Sequence, residues 1–450
     1  MVNDLKSKII KERGFQGLSC FLVAIIWSLP SLLNDFPMSY YDTAFYLHNA
    51  INITDPSPLA WRPIAYSLFM QPVFWGLGLL GFVVLQNFVV AICCFATART
   101  LIPNFSNFSF VFLGVLLYLT PLPYISNFLM PDIFAGLTLL MFIGYFCAER
   151  QYKKYFLIPC LLFAFTHYSN VIFIFPILVL AHPFFRKRIV QGLLVFVLLI
   201  LSLRFTFFFP KNNYEQTAHL FLFSRFVHYK ITDVYFSENC PIKDNIFCEN
   251  NDIAFDLWKM NKVVRQDNQK YNLGKKNIIA APSNINSIVS TNQQIMKSRL
   301  FAMYFVKSIK QTFQQVISFS QPMEYVTNDA NLLIYMTNIG NLRQFTQQKI
   351  FNDKELPRAL VLSYLSLLYF ATACLSILAI LISLIRQQVS PDLVSGTILA
   401  VITYFISAFA IGFLSVPLPR YSNRFIWIFG YISLLILFRF FQRKKENSLA

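Results

Sequence analysis

Long apolar stretches without a single Asp, Glu, Lys or Arg alternate with short charged segments along most of the chain. These stretches are 14–34, 63–98, 100–131, 133–148, 155–185, 189–203, 359–385, 393–419 and 425–438. A helix needs about 20 apolar residues to cross a bilayer, and its backbone must bond internally because no water reaches it there. The pattern therefore predicts an all-α polytopic membrane protein.

Basic residues set the direction of the spans, because cytoplasmic segments retain Lys and Arg. They cluster at 6–13, 150–154, 186–188 and 439–445. Threading the chain by this rule places both termini in the cytoplasm. It gives about ten transmembrane helices, at 16–33, 79–98, 108–127, 132–149, two within 155–185, then 189–209, 358–385, 393–415 and 425–441.

Two stretches have awkward lengths. Residues 63–98 are too long for one helix and too short for two, and Gly76, Gly78 and Gly81 predict a break. Residues 64–75 would then lie in the outer interface. The stretch 155–185 has basic clusters at both ends and must cross an even number of times, so it predicts a short hairpin with a polar tip at 166–170.

The predicted organisation has three parts: an N-terminal membrane module at 1–209, a large extracytoplasmic loop domain at 210–356 and a C-terminal membrane module at 357–450. Within the loop, apolar residues recur every four positions, which predicts an amphipathic helix lying on the membrane. They are Phe301, Phe305, Ile309, Phe313 and Ile317. Cys240 and Cys248 also lie in the loop, and in an oxidising compartment they favour a disulfide over a redox or metal pair.

Composition agrees with the pattern, since 56% of the residues are hydrophobic and only 13% are charged. The net charge of +17 invites a nucleic-acid interpretation. Most of the basic residues flank apolar stretches, however, so the charge is better explained by membrane topology. Membrane lipid is therefore a predicted partner and nucleic acid is not.

The threading places several ionisable residues on the outer face, where they persist mainly when paired or functional. Asp42 and Asp132 are candidate general bases, and each could instead cap a helix. The other candidates bind phosphate in the functional interpretation and reach for lipid headgroups or hydrogen-bond structurally in the alternative. They are Arg62, His167, Arg204, Arg420 and Arg424.

With these residues, the chain resembles the C-type glycosyltransferase (GT-C) superfamily of membrane proteins. More narrowly, it resembles a group of bacterial inner-membrane proteins with that layout. The resemblance consists of Asp42 soon after the first span, the Arg62-Pro63 turn, the Pro131-Asp132 helix start and the fifth-and-sixth hairpin. Ser224-Arg225-Phe226, the Cys240 and Cys248 pair, and the run from Arg420 to Arg424 add to it.

The resemblance implies transfer of a sugar from a polyprenyl-phosphate donor to an extracytoplasmic acceptor, either an envelope glycan or a lipid. Asp42 would then be the base, and Arg420 or Arg424 would bind the donor phosphate. Many members carry an acidic pair where this chain has Asp42 alone, so no metal site or other cofactor is predicted, although a divalent metal stays compatible. A flippase of lipid-linked glycans and a non-catalytic envelope-assembly protein are the alternatives.

Overall fold

The computed structural model describes part of the chain. The described residues are 2–33, 37–38, 43–51, 64–73, 75–164, 166–167, 219, 222–223, 225–242, 248, 282–317, 367–372, 374–376, 378–379, 381, 391–414 and 419–449. This part is mostly helical and contains no β-strand. Its α-helices include α1 (Val2–Leu33), α2 (Thr43–Ile51), α3 (Ile64–Met70), α4 (Gly78–Leu101), α5 (Asn107–Leu116), α6 (Leu122–Ile125), α7 (Asp132–Cys147), α8 (Lys153–Ala164), α9 (Ile231–Asn239), α10 (Pro282–Lys297), α11 (Leu300–Ile317), α12 (Pro391–Leu414) and α13 (Pro419–Leu449).

Four of the described helices are long and apolar enough to cross a membrane. These segments are Gly14–Leu33, Gly78–Leu101, Pro391–Phe413 and Tyr421–Arg443. The chain is thus an α-helical protein with the features of a membrane protein. The count of ten spans and the large loop stay predictions, since 189–209 and all of 318–366 lie outside the described residues.

The glycine-rich break is confirmed. Helix α3 ends at Met70, a 3-10 turn covers Gln71–Val73, and α4 begins at Gly78. Gly76 and Gly78 have φ angles of +108° and +69°, which residues with a side chain rarely adopt. The two glycines therefore separate the short α3 from the long span α4.

The predicted third span, 108–127, is interrupted. Helix α5 ends at Leu116, a 3-10 turn covers Leu117–Leu119, and α6 is a single turn. Thr120 is extended, with φ −125° and ψ 164°. It precedes Pro121, whose ring disfavours the helical conformation of the residue before it. Pro121 therefore interrupts the helix at a position where the hydropathy of the sequence predicts that it continues.

Contacts divide the chain into two units. Unit 1 comprises 1–209, 318–406 and 419–450, and unit 2 comprises 210–317 and 407–418. In unit 1, α7 lies at the centre: every residue from Asp132 to Phe146 is buried, and α4, α8 and α13 pack around it. A helix that is apolar on all sides is expected in such a position.

The helix ends of unit 1 gather in two places. At the first, Gln442 Nε2 donates to Pro103 O at 3.2 Å and Cys147 Sγ lies 3.8 Å from Asp392 O. We call this the basic end, because α4 finishes there with Arg99 and α8 begins there with basic residues. The opposite end contains the amino termini of α7 and α13, and we call it the site end.

Unit 2 is built from α9, α10, α11 and the last turns of α12. Its apolar core includes Phe226, Ile231, Tyr235, Ile295 and Tyr304. Cys240 and Cys248 form a disulfide with a Cα–Cα distance of 5.5 Å, and both pack against this core.

Candidate functional site

A buried ion pair lies at the site end of unit 1. Asp132 is the first residue of α7, where the helix dipole favours a negative charge. Arg424 lies in the second turn of α13, and its Nε donates to Asp132 Oδ1. The Arg424 side chain is only 1% exposed and the Asp132 side chain only 2%. Two opposite charges are therefore held together inside an otherwise apolar bundle.

Two further side chains surround the Arg424 guanidinium. The His167 Nε2 atom, just beyond α8, lies 3.4 Å from Arg424 Nη2. The Tyr421 ring lies one turn earlier on α13, with its centroid 4.6 Å from the guanidinium carbon. An aromatic face at this distance stabilises a cation. Three helices, α7, α8 and α13, thus bring acidic, basic and imidazole groups to one place.

The pair leaves polar atoms unsatisfied. Asp132 Oδ2 and Trp427 Nε1 are buried and have no hydrogen-bond partner among the described residues. A buried polar atom without a partner costs about 1–3 kcal/mol, so such atoms call for an explanation. A site that binds a polar group would provide such atoms, here an acceptor on α7 and a donor on α13.

Gly136 lets α7 and α13 approach closely beside the pair. A Cβ at this position would lie 2.5 Å from Arg424 O and 2.6 Å from Trp427 Nε1. Only glycine leaves room for that backbone contact, as at other tight helix crossings in membranes. The backbone of α13 is therefore fixed against the turn of α7 that follows Asp132.

The segment that leads into Asp132 is fastened from several sides. Gln86 Nε2 donates to Ser126 O at 2.7 Å and to Phe128 O at 3.0 Å. Asn127 Nδ2 donates to Trp27 O at 2.6 Å. The Gln86 side chain of α4 and the Trp27 carbonyl of α1 thus hold residues 126–128, which restricts the position of the carboxylate that follows.

The same segment also holds both sides of the stretch that contains Asp42. Met38 N donates to Asn127 O at 3.2 Å, and Leu129 N donates to Met38 O at 3.0 Å. Thr43 Oγ1 donates to Leu129 O at 3.1 Å. The residues on either side of 39–42 are therefore attached to the backbone that precedes Asp132.

Two buried tyrosines lie near the carboxylate. The rings of Tyr46 (α2) and Tyr66 (α3) meet edge to face at 5.1 Å, and Tyr66 Oη donates to Gln86 Oε1 at 2.9 Å. Burial raises the pKa of Tyr66 well above its ordinary value, and the nearby Tyr46 and Asp132 raise it further. Tyr66 therefore stays a neutral hydrogen-bond donor, which suits its bond to Gln86.

Of the predicted site residues, the structure brings Asp132, His167 and Arg424 together. Arg420 lies on α13 one turn before Arg424, but its side chain lies outside the described residues. Asp42, Arg62 and Arg204 also lie outside them. Their roles stay predictions.

Sequence reasoning missed Gln86, Tyr66, Gly136 and Trp427. A signal for the first existed, since Gln86-Asn87 is a polar pair within the charge-free stretch 63–98. Polar residues at membrane depth are functional or structural candidates by default. Gly136 and Trp427 gave no comparable signal, because their importance comes from a helix contact.

A second polar cluster lies in unit 2. The Arg225 side chain is buried, and its Nη2 donates to Gln311 Oε1 at 2.7 Å and to Gly412 O at 3.1 Å. His228 Nε2 lies 3.2 Å from Gln311 Nε2. Burial lowers the pKa of His228, and the Arg225 guanidinium lowers it further. Among the described residues, no group of three His, Cys, Asp or Glu side chains could hold a metal ion.

No known family model, curated protein or solved structure matches this chain.

Proposed function

We propose that the chain is a membrane glycosyltransferase that moves a sugar from a polyprenyl-phosphate donor to an extracytoplasmic acceptor. The observation that carries the proposal is the buried Asp132–Arg424 pair with His167 beside it at the site end. The basic end would face the cytoplasm of a bacterial inner membrane, because basic residues are retained there. The site end would then open toward the outside, where the acceptor lies.

In this proposal Arg424 binds the phosphate of the donor. A guanidinium presents donors in a planar fork that matches phosphate oxygens. Asp132 and Tyr421 would orient the fork, and His167 would give or accept a proton at a phosphate oxygen. Stabilising the negative charge that develops on a leaving phosphate is the largest contribution such a site can make.

Asp42 serves as the general base. The acceptor hydroxyl oxygen forms a bond to the anomeric carbon, while the bond between that carbon and the phosphate oxygen breaks. The phosphate keeps the electron pair, and the hydroxyl proton moves to the Asp42 carboxylate. The proposal is supported by the attachment of Met38 and Thr43 to 127–129, which ties both flanks of Asp42 to the segment before Asp132.

A non-catalytic assembly role is the second candidate, and one observation favours it. The pair is only 1% and 2% exposed, so a substrate could reach it only after the surrounding helices opened. A flippase of lipid-linked glycans is the third. Each makes a different prediction for single substitutions.

The test is the profile of envelope glycans and lipid-linked sugars in cells that carry Asp42→Asn, Arg424→Lys or a full deletion. Arg439→Lys is the matched control, since Arg439 lies on the same helix near the basic end. Membrane levels of all variants are equalised first. We expect both site variants to lose the same sugar as the deletion and the control to keep it.

Three results would contradict the proposal. If the deletion removes a sugar and both site variants retain it, the protein is not a transferase that uses these residues. If Arg424→Lys loses the sugar while Asp42→Asn retains it, the base assignment is wrong. Accumulation of the intact lipid-linked glycan on the inner leaflet would favour the flippase.

A further inference from the structure

The packed and exposed faces of α11 have the reverse of the usual polarity. Its buried residues are Leu300 and three residues with polar groups, Tyr304, Ser308 and Gln315, which are 2%, 2%, 0% and 1% exposed. Its most exposed large hydrophobic residues are Val306, Phe313 and Ile317, at 66%, 65% and 68%. Spacings of four and seven residues place each set on one side of the helix. A helix whose outer side faces water has its apolar residues packed and its polar residues exposed.

The polar side of α11 packs on the end of a candidate membrane span. Tyr304 Oη donates to Phe413 O, and the Phe413 ring lies 5.2 Å from that of Phe305. Gly412 makes the approach close, because a Cβ there would lie 2.8 Å from Ser308 O. The span itself covers Pro391–Phe413. Since α11 contacts its last two residues, α11 lies at the depth where that span leaves the hydrocarbon.

The charge of α11 also suits a lipid surface. The helix contains Lys307 and Lys310 and no acidic residue. Lys310 is exposed, and Lys307 Nζ donates to Tyr229 O at 2.6 Å. Apolar residues flanked by lysines are typical of helices that lie in the headgroup region, where the cations contact anionic lipids.

We propose that α11 lies in the membrane interface and attaches unit 2 to the bilayer. Val306, Phe313 and Ile317 contact acyl chains, and Lys310 contacts the phosphates of anionic headgroups. The occupant of this apolar surface is therefore lipid. This inference is independent of the proposed transferase activity, and neither requires the other.

Photo-crosslinking in the full-length protein tests the occupant. Benzoylphenylalanine is incorporated in place of Val306 or Phe313, and in place of Ser290, an exposed polar residue of α10, as the control. The protein is placed in nanodiscs of phosphatidylethanolamine and phosphatidylglycerol, irradiated and analysed by mass spectrometry. We expect lipid adducts at 306 and 313 to exceed those at 290 several-fold.

Three outcomes would overturn the proposal. Crosslinks from 306 or 313 to a second copy would make this surface an oligomer interface. Crosslinks to another segment of the same chain would mean that the protein covers it. Lipid adducts no more frequent than at 290 would show that α11 does not reach the bilayer.

A charge variant tests the headgroup contact separately. We expect Lys310→Gln to lower the share of phosphatidylglycerol among the adducts at 313 about two- to fivefold, since one cation near the surface contributes about 1 kcal/mol. The matched control is Lys297→Gln, at the end of α10. An unchanged share in the Lys310 variant would rule out the headgroup contact.

Discussion

A guanidinium and a carboxylate that are almost fully buried are rarely explained by stability alone. Removing two charges from water costs several kcal/mol per ion, and their attraction does not always offset that cost. In addition, Asp132 Oδ2 and the Nε1 atom of Trp427, three residues after Arg424, are buried and have no hydrogen-bond partner among the described residues. An apolar pair of similar size would fill the same space without those costs. These costs therefore fit the proposed binding role of the polar groups better than a purely stabilising one.

Breaking the pair is expected to be costly, while replacing both partners is not. Asp132→Asn leaves a buried guanidinium without its counter-charge and should lower the free energy of unfolding by about 3–5 kcal/mol. The double variant Asp132→Leu with Arg424→Met should recover most of that stability and none of the proposed activity. Thermal unfolding in detergent measures the stability of each variant, and the sugar profile measures its activity. A double variant as unstable as the single one would make the pair purely structural.

His228 makes the stability of unit 2 depend on pH. The pKa of His228 is lowered by burial and by Arg225, whereas the pKa of an unfolded histidine is about 6.5. The unfolded chain therefore takes up this proton first as the pH falls. Stability is fully present above about pH 6.5 and declines as the pH drops from there toward the folded-state pKa.

The control for this effect is His228→Gln, which cannot titrate. Unfolding of unit 2 is followed between neutral and mildly acidic pH in both proteins. We expect the wild type to lose more stability than the variant once the pH falls below about 6.5. Parallel curves would show that another group carries the acid sensitivity.

Among the helices, the contact of α7 with α13 sets the geometry of the site. Gly136→Ala would place a methyl group 2.5 Å from Arg424 O. Overpacking of this kind costs about 1–3 kcal/mol, and here it would also displace the backbone that carries Arg424. We expect lower thermal stability and loss of the proposed activity.

Gly17→Ala on α1 is the matched substitution, because no atom lies within 4 Å of a Cβ at that position. It should leave stability unchanged or raise it slightly, since alanine favours helix over glycine by about 1 kcal/mol. Equal effects of the two substitutions would mean that the close contact at Gly136 is not needed.

The hydropathy of the sequence predicted the positions of the apolar helices. It did not predict which other helices they contact. Gly76 and Gly78 allowed the break before α4 to be predicted, because glycine is the residue that most readily adopts positive φ angles. The interruption of the third span at Thr120-Pro121 was not predicted, because the apolar neighbours of the proline keep the mean hydropathy of the segment high. The central position of α7 could not be predicted either. Lipid-facing and protein-facing residues are both apolar in a membrane, so the pattern does not distinguish them.

For the candidate site, the sequence indicated which end of the spans its members share, but not their partners. Asp132, His167 and Arg424 were expected on one face because the alternation of spans puts them there. The pairing of Asp132 with Arg424 depends on the packing of α7 against α13. That packing follows from Gly136 and Trp427, which no charge pattern reveals.

At the scale of the whole molecule, the predicted extracytoplasmic loop and the basic end should lie on opposite sides of the membrane. Alkaline phosphatase folds only where its disulfides form, outside the cytoplasm. Fused after Lys297 it should be active, and fused after Lys445 it should be inactive. Green fluorescent protein at the second position should fluoresce. The reverse pattern would invert the topology and remove the basis for an extracytoplasmic site.

Unit 2 is completed by a piece of chain that lies far from it in sequence. Arg225 and Tyr304 bond to the backbone carbonyls of Gly412 and Phe413, which follow about ninety residues after α11. Expressed as a separate fragment, 210–317 would lack those acceptors and expose Val306, Phe313 and Ile317 to water. Such a fragment should aggregate, and grafting it onto another membrane protein should fail. In evolution, the loop could have been exchanged between proteins only together with the end of α12.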